Sequence, residues 1–242
     1  MSPLALAWQQ FRFERKVFWR NPSAAFFNFL LPLLLLVLTA TAFAGDAEDL
    51  DVLIPGIAAM GVVATTFTAL AFNLTMLRED GVLKRIRGTP MPAGAYLAGL
   101  VGSAVLNAFL QVALVVSIGS LVYGVDWPQD PALLLLFTAL GVLCFGSLGV
   151  AFAHAIPNQE SAPAYTNAVF LPLLFISGVF YSADNLPSAL EAVAEALPLK
   201  HLVDGFSQAI VGGSGDAASA AAVVGAWALA GLFLAVRYFR WS

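Results

Sequence analysis

Charge is scarce in this chain of 242 residues: 11% are Asp, Glu, Lys or Arg, against 60% hydrophobic. A soluble domain usually carries about 25% charged residues. Water is therefore excluded as the solvent for the whole of its surface. A single cysteine, Cys144, excludes an intrachain disulfide. No Gly-x-x-x-x-Gly-Lys-Ser/Thr run occurs, which removes ATP binding by a phosphate loop. The stretch before Ser23 lacks a short apolar core followed by a small-residue cleavage site, so no removable signal peptide is expected. Acids and bases are missing from the middles of the apolar runs, which argues against a proton- or ion-coupled pump.

What is present is a set of long apolar blocks. They run about Ser23–Ala44, Leu53–Leu77, Ala93–Tyr123, Pro131–Ile156, Ser161–Tyr181 and Asp216–Tyr238. A helix needs roughly 20 apolar residues to cross about 30 Å of hydrocarbon. The expectation is an all-α polytopic membrane protein of six crossings, in one domain, 1–242. The third block is longer than one crossing needs and should tilt or project beyond the bilayer.

Orientation follows from the basic residues of the connections. With both ends inside, the cytoplasmic pieces hold Arg12, Arg15, Lys16, Arg20, Arg78, Lys84, Arg85, Arg87, Arg237 and Arg240. Only Lys200, of 11 basic residues, falls outside. The outer loops hold acids such as Asp46, Glu48, Asp49, Asp51, Asp126 and Asp130.

Residues 4–20 place Trp8, Phe11, Phe18 and Trp19 among Arg12, Arg15, Lys16 and Arg20. That suits an amphipathic helix in the headgroup layer, in contact with membrane lipid; a soluble arm is the alternative. Residues 182–215 read as two short helices split at Pro198, either re-entrant in the outer leaflet or lying flat as a lid.

Three places could carry chemistry. Gly146-Ser147-Leu148-Gly149 resembles the setting of an intramembrane serine nucleophile, but that chemistry needs a base against the serine; close helix packing is the plainer reading. A metal site from Cys144, His154 and Glu160 matches no common ligand spacing. Arg78–Pro92 is the informative segment. Arg78 to Arg87 should form a short helix, ended by Gly88 and kept from the next crossing by Pro90 and Pro92. Val82, Leu83 and Ile86 share one face, with Lys84, Arg85 and Arg87 around it. This is an apolar knob for docking into a partner's groove, or an ordinary basic turn.

Polar residues within the blocks are few. Ser103, Asn107 and Gln111 recur every four residues and form one stripe. Thr66 and Asn73 polarise the second block and Asn167 the fifth. These six residues line a substrate path in one reading, and make interhelical hydrogen bonds in the other.

Arg20-Asn21-Pro22 before the first block, with Pro32 inside it, opens a longer pattern. Gly81-Val82-Leu83-Lys84-Arg85-Ile86-Arg87 with Thr89-Pro90 continues it. Leu171-Pro172-Leu173-Leu174-Phe175-Ile176-Ser177-Gly178-Val179-Phe180, then Leu186-Pro187 and Leu197-Pro198-Leu199, complete it. Together these resemble the ABC-2 type permease family, which includes drug-resistance and polysaccharide or lipid exporters. The resemblance implies six crossings and pairing with a second permease copy. It also implies a separate cytoplasmic ATPase that holds ATP and Mg, no cofactor on this chain, and no nucleic-acid partner. It makes 78–92 the coupling-helix loop and 182–215 the re-entrant segment. Export of an amphiphilic drug, lipid or glycan-type substrate by alternating access is then the expected function, in the cell membrane, without catalysis by this chain. A non-transporting membrane anchor or assembly factor is the alternative, and an intramembrane serine protease the remote one.

Overall fold

In the computed structural model the described residues are 2–43, 47–180, 187–213 and 215–238. For 24, 27, 42–43, 47–49, 87, 93, 188 and 238 the description is of backbone alone. Arg240, Asp46, Tyr181 and the 182–186 start of the outer segment lie outside them. All regular elements among the described residues are helical: α1 (Pro3–Trp19), α2 (Pro22–Ala25), α3 (Leu31–Phe43), α4 (Ala47–Val63), α5 (Ala69–Glu79), α6 (Val82–Arg87), α7 (Ala93–Tyr123), α8 (Pro131–Phe152), α9 (Ala162–Ile176), α10 (Ser188–Ala196), α11 (Pro198–Val211) and α12 (Ala217–Tyr238).

Two π-helical turns join neighbouring helices, Phe26–Leu30 between α2 and α3, and Ala64–Thr68 between α4 and α5. The first has a local cause. Pro32 has no N–H and its ring crowds the carbonyl four residues back. A widened turn, closed by the Leu31 N–H on the Phe26 carbonyl, takes up that mismatch just before it.

Among the described residues, four helices are long and apolar enough to cross a membrane: Leu50–Glu79, Gly94–Tyr123, Pro131–Phe152 and Ala217–Arg237. Asn28–Thr41 and Ala162–Ile176 are apolar but shorter. The chain is thus an integral membrane protein, with four such spans among its described residues against the six expected. The fifth block accounts for part of the difference. Its helix stops at Ile176, because Gly178 takes a left-handed conformation, φ 70°. Ser177 and Val179 then turn inward, 1% and 0% exposed. A Cβ at Gly56 of α4 would lie 1.9 Å from the Val179 carbonyl oxygen, so only glycine admits this turn.

α7 matches its expected bounds. Its 31 residues reach about 46 Å at 1.5 Å per residue, well beyond one hydrocarbon thickness. Pro92 caps its start, and left-handed Gly124 ends it.

The core lies among α4, α7, α8, α11 and α12. α8 and α12 pack closely where Gly231 faces Ser147: a Cβ there would sit 2.3 Å from the serine oxygen. α11 runs antiparallel along α8. The Asp130 N–H donates to the Ala209 carbonyl at 3.0 Å, Phe137 covers Gly205, and Leu202 covers Gly141. The α10–α11 corner at Leu197 therefore lies level with Phe145, about 21 Å along α8 from its start. There the Trp227 indole N–H donates to the Ala196 carbonyl at 2.9 Å, and His201 Nε2 lies 2.8 Å from the Glu195 carbonyl. These side chains meet the unpaired carbonyls that end α10.

Candidate functional site

The loop face begins at the end of α5. The Arg78 guanidinium donates to the Ala153 carbonyl at 3.1 Å and to that of Ile156. Thr75 adds a weaker bond to Ala153, 3.4 Å. Glu79 accepts the backbone N–H of Gln159. Arginine thus satisfies the orphan carbonyls that follow α8, where positive charge also suits the helix end. The turn 153–160 is clamped to α5.

The expected helix from Arg78 to Arg87 is in fact two helices. α5 continues to Glu79, and Gly81 reverses the chain at φ 69° before α6 starts at Val82. Of the expected apolar knob, Leu83 is 2% exposed. It packs into the chain itself and is not available to a partner. Val82 and Ile86 are half-buried, while Lys84 and Arg85 are exposed. Arg85 donates to the Asp80 carbonyl at 2.8 Å, closing the loop on itself. Beyond α6, the Thr89 hydroxyl donates to the Ile86 carbonyl at 2.7 Å and accepts from the Met91 N–H at 3.3 Å. The Arg87 side chain lies outside the described set.

α1 does more than carry charge. Ser2 caps it and Pro3 opens it. One face packs parallel to the first half of α7, with Gln10 against Gly99 and Phe11 against Gly102. Arg15 donates to the Asn107 Oδ1, and its guanidinium stacks 5.2 Å from the Phe18 ring centre and 5.6 Å from that of Trp19. Gln10 donates to Glu14 at 2.7 Å. Burial raises the Glu14 pKa, partly offset by that hydrogen bond; burial lowers that of Arg15. The other face exposes Arg12, Lys16 and Arg20 beside Trp8, Phe13 and Val17.

The polar stripe is interior. Ser103, Asn107 and Gln111 are 7%, 6% and 0% exposed. Arg15 covers Asn107, and Gln111 lies against Gly61 of α4, where a Cβ would meet its Cγ at 2.6 Å. Both polar atoms of Gln111 are buried without a protein partner. Thr66 is 0% exposed and donates to the Val62 carbonyl of its own helix at 2.6 Å. These four side chains are therefore not an accessible wall of the single chain; helix packing covers them. Of the six expected path residues, Asn73 is half-buried and Asn167 alone is exposed, on α9.

Ser147 donates to the Cys144 carbonyl at 2.9 Å and faces Ala228, in a close α8–α12 contact. This is helix packing. Among the described residues no cluster of three His, Cys, Asp or Glu could hold a metal.

Sequence reasoning missed the Arg78 and Glu79 clamp and the Arg15–Asn107 bond. Both join positions far apart in the chain, so neither had a signal in the local sequence.

Residues 4–211 match the ABC-2 type transporter family. The linearmycin resistance permease protein LnrN of Bacillus subtilis is 23% identical over 152 residues, covering 63% of this chain and 39% of that protein. The daunorubicin resistance ABC transporter permease protein DrrB1 of Streptomyces coeruleorubidus is 26% identical over 197 residues, covering 77% of this chain and 68% of that protein. The inner membrane transport permease YadH of Escherichia coli is 25% identical over 162 residues, covering 66% and 62% respectively. This chain thus spans well under half of LnrN and about two thirds of the other two.

Proposed function

Because the chain belongs to the ABC-2 type transporter family, we propose that it is the membrane-spanning permease of an exporter driven by a separate ATPase. The observation that carries this reading is the α5–α6 loop. It presents Lys84 and Arg85 outward beside half-buried Val82 and Ile86, on a base that Arg78 and Glu79 fix to the α8–α9 turn. A rigid, cationic, partly apolar projection is what a moving partner needs in order to transmit force.

The proposed partner binds ATP and Mg on the cytoplasmic side. Its closure on ATP pulls α6, and α1 follows through its contact with α7. A second permease copy completes the path. ATP drives the change only by stabilising one membrane conformation over the other. Six crossings are part of this proposal. The helical stretch from α2 to α3 and the short α9 supply the two that fall below full span length, and both termini lie inside. The α10–α11 hairpin enters the bundle from the outer side, supported by its depth along α8. The relatives named for linearmycin and daunorubicin resistance favour an amphiphilic drug-like or lipid cargo.

Co-purification with the ATPase tests this. Lys84→Glu combined with Arg85→Glu should cut ATPase recovery on the order of tenfold, about 1.4 kcal/mol, while membrane yield is unchanged. Leu83→Asp should instead lower the yield itself, since Leu83 is interior. Undiminished ATPase recovery with the double charge reversal would refute the docking role.

A further inference from the structure

We propose that a cleft between α8, α9 and α12 holds one hydrocarbon chain of an amphiphile. The inference rests on the membrane-spanning reading and goes beyond it in naming a site and a ligand class. The cleft has a volume of about 570 Å³, within the ~300–1,000 Å³ typical of small-molecule sites. It exists because α9 is short and stands off α12, whereas α12 is drawn tightly onto α8 at Gly231 and Ser147.

Its floor is aromatic. Phe67 and Phe152 meet at 5.3 Å between ring centres, and Phe145 lies beside them. Val169 and Leu173 of α9 form one wall, Trp227 and Leu234 of α12 the other, and Leu197 with Pro198 the roof. The Trp227 N–H is already used on the Ala196 carbonyl, so its ring contributes carbon. His154, at the end nearest the α8–α9 turn, is the one ionisable residue of the lining among the described residues.

The occupant follows from the surroundings. A cavity walled by carbon stays free of water, because water there would have too few polar partners. α8 and α12 are membrane-spanning by length and composition, so what lies outside the gap is hydrocarbon. Val169 and Trp227 at the rim are 39% and 36% exposed, which leaves the gap open sideways. An alkyl, polyene or aryl tail can enter and regain the dispersion contacts an empty cleft lacks. A tail seated there touches the α10–α11 corner at one end. At the other it reaches the turn that Arg78 clamps to the coupling loop. It therefore bridges the α10–α11 corner and the turn on which the α5–α6 loop is based.

Photolabelling tests the site without involving the ATPase, so its failure would leave the exporter reading standing. The permease is placed in phosphatidylethanolamine and phosphatidylglycerol vesicles with a trace of phosphatidylglycerol carrying a diazirine in its acyl chain. Adducts are then mapped by mass spectrometry. Adducts on Leu173 and Trp227 should exceed those on Leu229 and Val236, which point away from the bundle at 70% and 82% exposed, by at least about fivefold. Ala151→Trp, which fills the cleft, and Val169→Trp at its rim should each remove the excess. An unlabelled alkylammonium amphiphile distinguishes the source. If it displaces the label, the site takes tails of foreign amphiphiles; if not, it holds bilayer lipid, and either result supports a chain site. Equal labelling inside and outside the cleft, or an excess that survives both tryptophans, would overturn the proposal.

Discussion

Asn107 and Gln111 lie one helical turn apart on α7, yet they should respond oppositely to substitution. Asn107 accepts from Arg15, so Asn107→Leu leaves a half-buried guanidinium without its acceptor. A cost of about 1–3 kcal/mol is expected, read as a lowered thermal midpoint in detergent. Gln111 has no partner within the chain, so Gln111→Leu should leave that midpoint unchanged or raise it. A fall as large as for Asn107 would show that Gln111 is bonded in the working protein. Glu14 adds a pH dependence. Its folded pKa is raised above 4.5 by burial, so the folded state binds its proton more tightly than the unfolded one. The α1–α7 contact is then strongest below pH 4.5 and weakens as pH rises through the raised value. Glu14→Gln should flatten that slope, as measured by the pH dependence of unfolding; an unaltered slope would assign it to another group. The period-four stripe was legible in the sequence, because spacing alone puts those residues on one face. What covers that face was not, because Arg15 reaches it from a separate helix.

At the scale of elements, glycine decides how closely helices approach. Gly231 leaves no room for a Cβ beside Ser147, and Gly149 none beside the backbone of Phe67. Gly231→Leu should push α12 off α8, lowering the yield of folded protein, whereas Gly225→Ala, with open space at its Cβ position, should be tolerated. Fluorescence-detected size exclusion separates the two. Equal behaviour would mean that α8 and α12 are held elsewhere. Element bounds were readable where proline and glycine flank an apolar run, as Pro92 and Gly124 do for α7. They were misread where the breaking glycine sits inside one. Gly178 ends α9 early through a left-handed turn, which hydropathy does not show. Likewise Gly81 splits an apparently continuous helix, which leaves Arg78 on α5 as a clamp and α6 as a separate, shorter projection.

For the whole molecule, composition already excluded water as solvent. A backbone in hydrocarbon must bond to itself, as helices or a closed barrel, and apolar blocks of about 20 residues or more suit helices. The count of crossings was less legible, because hydropathy does not reveal the left-handed Gly178 that ends α9 inside the fifth block. The α10–α11 hairpin was legible as two helices split near Pro198. Its depth was not, since that depends on Gly205 and Gly141 accepting Phe137 and Leu202 from a different helix. Lys200, the basic residue that broke the orientation pattern, is paired at 2.8 Å with Asp204 one turn further along α11, so its charge is partly met inside the hairpin.

Labelling of the α5–α7 loop is the most direct test of the account. Cys144 is fully buried and silent, so Lys84→Cys offers one exposed thiol to a membrane-impermeant maleimide. The account predicts no labelling in intact cells and strong labelling in inside-out vesicles, with protection when the ATPase is bound. Labelling from the outside of intact cells would contradict it.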